Sequence, residues 1–210
     1  MDAEAWDERY AASDLVWSAG PNVFVEAECS GLPAGRALDL AAGEGRHALW
    51  LARRGWRVTA LDFSAVALDK GRQVAEGSGL ADAITWVRAD ATTWRPPAGT
   101  TYDLALLAYL QLPPAQRRAA VRGAYDALAP GGALLVVAHD RTNLTEGVGG
   151  PQDPEVLMSA EDVLGDLTGL PHEVEHAGRA GRRVEPGHGA DDAPARTAWD
   201  CVVRVHRAAG

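Results

Sequence analysis

The sequence predicts an α/β protein: a doubly wound, seven-stranded, mostly parallel sheet with an antiparallel pair of strands at its C-terminal end. Three observations lead there. Between residues 36 and 138, short apolar runs alternate with helical patterns. Such alternation requires crossover connections, hence a parallel sheet covered on both faces. The first strand runs directly into a turn of small residues, Ala41-Ala-Gly-Glu-Gly45, that opens a helix. Residues 172–206 hold two consecutive strand patterns joined by a polar loop, and strands joined in that way pair antiparallel.

The elements follow in order. The first thirty residues stand outside the alternation and carry Trp6, Tyr10, Trp17 and Phe24 among many acids. They predict a helix and an extended arm, packed either as a lid over the ligand edge of the sheet or as an ordinary covering helix. Arg36–Ala41 is a buried strand. Gly45–Arg54 is a helix with Ala48, Leu51 and Ala52 on one face and Gly55 as its stop. Arg57–Leu61 is the second strand, and Ser64 caps a helix whose inner face carries Ala67, Gly71, Val74 and Ala75. Ala83–Arg88 and Tyr102–Leu107 are the third and fourth strands. Pro113 and Pro114 open a helix with Val121, Ala124, Tyr125 and Leu128 inward. Pro130-Gly131-Gly132 then turns into the most apolar strand, Ala133–Ala138. Ser159-Ala-Glu-Asp162 reads as a capping box before a short helix with Val163, Leu164 and Leu167 inward. His172–Val184 and Thr197–His206 are the paired C-terminal strands. One domain over residues 1–210 is expected, with an arm at 1–30, a core at 36–138, a loop at 141–158 and a C-terminal unit at 159–210.

Composition narrows the function. A formal net charge of −9, from 20 basic and 29 acidic side chains, speaks against nucleic acid, whose binding needs a basic patch. The 47% hydrophobic content is ordinary for a globular core. Cys29 and Cys201 are far apart and without ligand spacing, so neither a disulfide framework nor a metal site is expected. The acidic start is unlike a signal peptide, and no apolar run approaches a membrane span. A cytoplasmic protein, monomer or homodimer, is expected.

In open parallel sheets, ligands bind where the strands end, at the point where the strand order reverses. The strand ends here are chemically loaded. The first gives Asp39-x-Ala41-x-Gly43-x-Gly45, whose small residues permit a tight turn and a close ligand approach. The following helix aims its free N–H groups at that turn. Alone the turn is ambiguous, because Gly43-x-Gly45-x-x-Ala48 also matches a dinucleotide fingerprint. The second strand leads to Asp62, an acid placed to accept both ribose hydroxyls of a bound adenosine or, more simply, to cap the next helix. The third leads to Asp90 and Ala91, a carboxylate and a backbone able to read an adenine edge, with Phe63 as an apolar wall. Asp39 and Asp90 argue against a nicotinamide dinucleotide, as does the lack of a Tyr-x-x-x-Lys pair.

The series DLAAGEG, ALDFS, RADA, YDLALLAYL and LAPGGALLVV resembles the ordered motifs of class I S-adenosylmethionine-dependent methyltransferases over about residues 36–138. The opening WDERY, Trp17 and the compact size are more similar to the tellurite-resistance and thiopurine-methyltransferase-like branch. The resemblance implies a Rossmann-like fold, S-adenosylmethionine as cofactor and a small-molecule methyl acceptor through sulfur, nitrogen, oxygen or a metalloid. It implies that Gly43 and Gly45 make the cofactor turn, with Asp39 and Ala41 beside them. Asp62 would hold the ribose, and Asp90 with Ala91 the adenine. Arg46 or Trp17 would lie near the methionine carboxylate, and Ala108 and Tyr109 would border the methionine and the reacting methyl. Ala41 stands where many members carry glycine, and Ala42 where related sequences often carry cysteine.

Methyl transfer asks the protein for proximity, alignment and exclusion of water. A base is needed only where the nucleophile arrives protonated. Tyr109 and Gln111 follow the fourth strand, and His139 and Asp140 follow the fifth. His139 is the candidate base, with Tyr109 beside it, since imidazole titrates near neutrality; the plainer reading of His139 is a structural histidine holding the next loop. That loop, 141–158, is long and rich in Gly and Pro, and is expected to close over the substrate with the N-terminal aromatics. No GxSxG elbow and no phosphate loop appears. Two other functions stay open at this point: an NAD(P)-dependent reductase, and a non-catalytic S-adenosylmethionine-binding protein.

Overall fold

The computed structural model describes residues 3–12, 20–184 and 196–209. Seven strands form one sheet: β1 (Arg36–Leu40), β2 (Arg57–Asp62), β3 (Ile84–Arg88), β4 (Tyr102–Ala108), β5 (Leu128–His139), β6 (His172–Val184) and β7 (Arg196–Arg207), in the order β3-β2-β1-β4-β5-β7-β6. The first five run parallel, while β7 pairs antiparallel with β5 and β6 antiparallel with β7. The predicted architecture is therefore the observed one. The order reverses between β1 and β4, which puts the ligand crevice at their carboxyl ends.

Helices cover both faces. They are α1 (Ala3–Ala11), α2 (Val23–Cys29), α3 (Arg46–Arg53), α4 (Ala65–Gly77), α5 (Pro114–Asp126), the short α6 (Asn143–Glu146) and α7 (Ala160–Asp166). The central strands read as unbroken apolar runs because both of their faces are buried. Along β4, Leu104 and Leu106 enter a core with Val25, Ala48, Leu51 and Ala75, while Ala105 and Leu107 enter the opposite one with Val121, Tyr125 and Val163. The period-two alternation of a strand makes that division.

Local chemistry fixes the helix starts. Ser64 Oγ accepts the Ala67 N–H at 3.1 Å. Ser159 and Asp162 exchange both capping bonds, as the sequence predicts. A buried ion pair ties α5 to α7, with Arg117 Nε donating to Asp166 Oδ2 at 2.7 Å, and the exposed Arg118 adds an Nε donor to Oδ1 at 3.2 Å. In the N-terminal arm, α1 packs on α4, with Ser64 Oγ donating to Asp7 and Lys70 donating to the Tyr10 carbonyl.

One boundary departs from expectation. Leu128 does not close the helix that Val121, Ala124 and Tyr125 begin; α5 ends at Asp126, and Leu128 pairs with Tyr102 as the first residue of β5. The Pro130-Gly131-Gly132 turn is a bulge within β5, which advances from Leu128 to Ala133 while β4 advances only from Tyr102 to Leu104. Proline lacks the N–H a ladder needs, and Gly131 takes φ 79°, so these residues are spent on the bulge. The joining loop predicted at 185–196 lies outside the described residues, apart from Arg196. Among the described residues no helix is long and apolar enough to cross a membrane, and no group of three or more His, Cys, Asp and Glu side chains is placed to hold a metal ion.

Candidate functional site

The chain leaves β1 through three left-handed residues, Ala41 (φ 58°), Gly43 (φ 56°) and Gly45 (φ 76°). For alanine that conformation costs about 1–2 kcal/mol, and strain of this kind is held where a ligand edge demands a shape. Gly45 is also closed to a side chain by packing, since a Cβ there would run into the Trp86 ring. Asp62, at the end of β2, pins the turn: Gly43 N–H donates to its Oδ2 at 2.8 Å and Ser64 N–H to its Oδ1 at 2.9 Å. Burial pushes its carboxyl up, against the pull of those backbone N–H groups. Each oxygen keeps acceptor capacity beyond these bonds.

Beside the turn lies a cleft of about 400 Å³. Ala41, Asp62, Phe63, Asp90 and Ala91 line it, five residues predicted for the cofactor; Leu61, Ala89, Thr92, Leu110, Leu112 and Gln116 complete it. Asp90 Oδ1 accepts the Thr92 N–H and hydroxyl, both at 2.7 Å, which fixes the carboxylate at the rim. Trp17 lies outside the described residues.

Asp39 sits beneath the turn, 1% exposed. Among the described residues nothing hydrogen-bonds its Oδ2. Burial raises its pKa to about 7, with the Ala48 N–H and Arg46 pulling the other way. An acid whose folded pKa lies above its unfolded value binds the proton more tightly when folded, so it lowers stability as pH rises between the two values. The thermal midpoint of Asp39→Asn is therefore expected to gain on that of the unliganded wild type from about pH 4 to about pH 7, then hold a constant lead. A lead of the same size at pH 4 would refute that assignment.

A second cluster lies at the ends of β4 and β5. Tyr109 follows β4 with φ 61°. Its hydroxyl donates to Asp200 Oδ2 at 2.9 Å and accepts from Asn22 Nδ2 at 2.7 Å. Arg182 Nε donates to the same Asp200 oxygen at 2.8 Å. The guanidinium carbons of Arg46 and Arg182 each lie 5.9 Å from the Tyr109 ring centre. Burial, and after it the Asp200 charge, push the phenol well above its usual pKa, so Tyr109 is a proton donor here and not a base. The rings of Tyr109 and His139 are 5.0 Å apart and tilted by 52°. The predicted pair thus meets, and Ala108, the last residue of β4, adjoins it half-buried.

The loop 141–158 is anchored. Asn143 donates to the Gly149 carbonyl at 2.9 Å and accepts the Trp199 N–H at 2.8 Å. Gly150 rests on His139 so closely that a Cβ there would stand 2.8 Å from the ring. Gln111 donates to the Val156 carbonyl at 3.1 Å. Gln111 and Asp140 therefore hold the loop, Asp140 by accepting the Thr142 N–H at 2.9 Å. His47 accepts the Asn22 N–H, and burial, followed by Arg46, lowers its pKa to about 3, so it stays neutral and structural.

Asp200, Arg182 and Asn22 were not singled out in the sequence. Asp200 left a trace: it is the one acid in β7 and directly precedes the apolar run Cys201-Val-Val203, and an acid carried into a core by such a strand needs a partner.

A methyltransferase-domain family profile matches residues 37–132. Thiocyanate methyltransferase 1 of Brassica oleracea is 30% identical over 169 residues, 78% of this chain and 73% of that protein. Among solved structures, the N-methyltransferase NodS from Bradyrhizobium japonicum WM9, in complex with S-adenosylhomocysteine, superposes with a TM-score of 0.69 at 20% identity, covering 98% of this chain and 97% of the other. TehB from Haemophilus influenzae gives a TM-score of 0.70 at 13% identity, covering 98% and 66%.

Proposed function

The chain belongs to the S-adenosylmethionine-dependent methyltransferases, and from that premise we propose that the cofactor lies across the carboxyl ends of β1, β2 and β3 and that the acceptor binds beside Tyr109 and His139. The enzyme transfers a methyl group to a small molecule. The observation that carries the placement is the cleft itself, which five of the residues singled out for the cofactor line together.

The residues fit the group. Asp39 Oδ2 is a buried carboxylate oxygen without a partner among the described residues, which suits a cationic ligand; S-adenosylmethionine carries both an ammonium and a sulfonium. Asp62, fixed by two backbone N–H groups, accepts the ribose hydroxyls with its remaining lone pairs. Asp90 and the Ala91 backbone read the adenine, and Phe63 covers it. Gly43 and Gly45 let the backbone approach, and Arg46, at the start of α3, is the described candidate for the methionine carboxylate. When bound, the cofactor supplies a methyl group on a sulfonium that leaves as a neutral thioether. The chain's own part is to hold the acceptor in line and keep water out. The loop 141–158 and α1 close the two sides, and the whole chain acts as one methyltransferase domain.

The acceptor candidates are anions such as thiocyanate, the substrate in the relative's name, together with thiols, phenols, amines, selenite and tellurite. Incubating the protein with methyl-labelled S-adenosylmethionine and each of these in turn is expected to yield at least one labelled product. Cofactor binding with no product from any of them supports the non-catalytic reading instead.

A further inference from the structure

We propose that Asp200 is the positioning residue of a base: it holds His139 with its proton on Nδ1, leaving Nε2 to take a proton from the acceptor, so the acceptor is a hydroxyl, thiol or amine and not a preformed anion. This rests on the methyl-transfer reading above and names the acceptor class for that same site.

The two residues face each other in register across β5 and β7. Asp200 is 0% exposed. Its Oδ2 is filled by the Tyr109 hydroxyl and by Arg182 Nε. Its Oδ1 has no hydrogen bond, and it lies 3.3 Å from His139 Nδ1, which has none either. Two buried, unpartnered atoms at that separation are satisfied together by one arrangement, a proton on Nδ1 aimed at Oδ1, which a small ring rotation makes. The opposite tautomer would set a lone pair against a carboxylate. The bond made by one ring nitrogen decides which state the other adopts, so Nε2 carries the lone pair.

The surroundings hold this state. Gly150 closes on one side of the ring and Tyr109 stands 5.0 Å away. Arg182 from β6 balances the Asp200 charge, and Arg46 from α3 reaches the Tyr109 ring. Burial raises the Asp200 carboxyl, yet His139 and Arg182 outweigh it and hold it below the usual range, so it stays an anion across the working pH. In the reaction the proton of the hydroxyl, thiol or ammonium group moves to Nε2, its bonding pair stays on the nucleophilic atom to form the bond to the methyl carbon, and the carbon–sulfur bond breaks with its pair left on the thioether sulfur. The imidazolium, stabilised by Asp200, then returns the proton to solvent. A preformed anion such as thiocyanate has no proton to lose and needs none of this apparatus.

The test is long-range proton–nitrogen NMR on histidine-labelled full-length protein with S-adenosylhomocysteine bound, with His139 assigned through His139→Gln. The wild type is expected to show neutral His139 protonated on Nδ1. Asp200→Ala, which removes the acceptor facing Nδ1, is expected to move the neutral ring toward protonation on Nε2. An Nε2-protonated tautomer in the wild type, or a tautomer balance unmoved in Asp200→Ala, overturns the proposal; the first measurement needs no variant to fold. Calorimetric titration of S-adenosylhomocysteine into the same wild-type sample separates the two readings. Binding with the wrong tautomer sinks only the base, and no binding sinks the site.

Discussion

Asp62→Ala is expected to weaken S-adenosylmethionine binding by about 100-fold or more while the protein stays folded. The carboxylate has two duties. Toward the protein it accepts the Gly43 and Ser64 N–H groups at 2.8 and 2.9 Å, joining the turn after β1 to the end of β2. Toward the ligand it offers its remaining lone pairs. Hydrogen bonds to a charged group contribute about 1.5–3 kcal/mol each, and about 1.4 kcal/mol is tenfold in affinity. Losing the ribose contacts alone accounts for the expected weakening, and a loosened turn adds to it. Stability should fall by only about 1–3 kcal/mol, since two N–H groups lose their partner while a carboxylate that burial disfavours is removed. Calorimetry and thermal melting on one preparation check both halves. Unchanged affinity would remove Asp62 from the cofactor site.

Asp166→Ala is expected to cost about 3–5 kcal/mol of folding stability, read as a lower urea midpoint. Asp166 is 1% exposed and Arg117 6% exposed, and Asp166 receives Arg117 Nε at 2.7 Å. Removing the acid leaves a guanidinium buried without its counter-charge. The cost belongs to that stranded charge and not to the pair, so Asp166→Leu combined with Arg117→Met should recover most of the loss. Both residues belong to the α5–α7 contact and not to the cofactor cleft, so S-adenosylmethionine affinity should stay within about twofold of wild type at a temperature where the variant is folded, below roughly 0.5 kcal/mol.

These two acids show what the sequence made legible. Asp62 stands at a strand end, one of the few positions where a parallel sheet meets ligand, and the apolar run before it marks the place. Asp39, Asp90, Ala91 and Phe63 were legible for the same reason, as was the architecture, because strands buried on both faces and separated by helical patterns admit few arrangements. Asp166 and Asp200 are different. Each gains its meaning from a partner remote in the chain, 49 residues away for Arg117 and 91 for Tyr109. Local pattern carries no such information. The start of β5 was hidden too, because Leu128 continues a helical spacing that the bulge at Pro130-Gly131-Gly132 overrides. Ala41 was legible as a small residue, but its left-handed backbone was not, since alanine avoids that region where nothing forces it.

The cleft at the ends of β1, β2 and β3 is the proposed site for S-adenosylmethionine. Calorimetric titration of the full-length wild type with S-adenosylhomocysteine, beside an identical titration with NADH, tests it most directly. One-to-one binding of S-adenosylhomocysteine, lost in Asp62→Ala, with no heat from NADH, is the predicted result. Heat from NADH with none from S-adenosylhomocysteine or S-adenosylmethionine at millimolar concentration would contradict it.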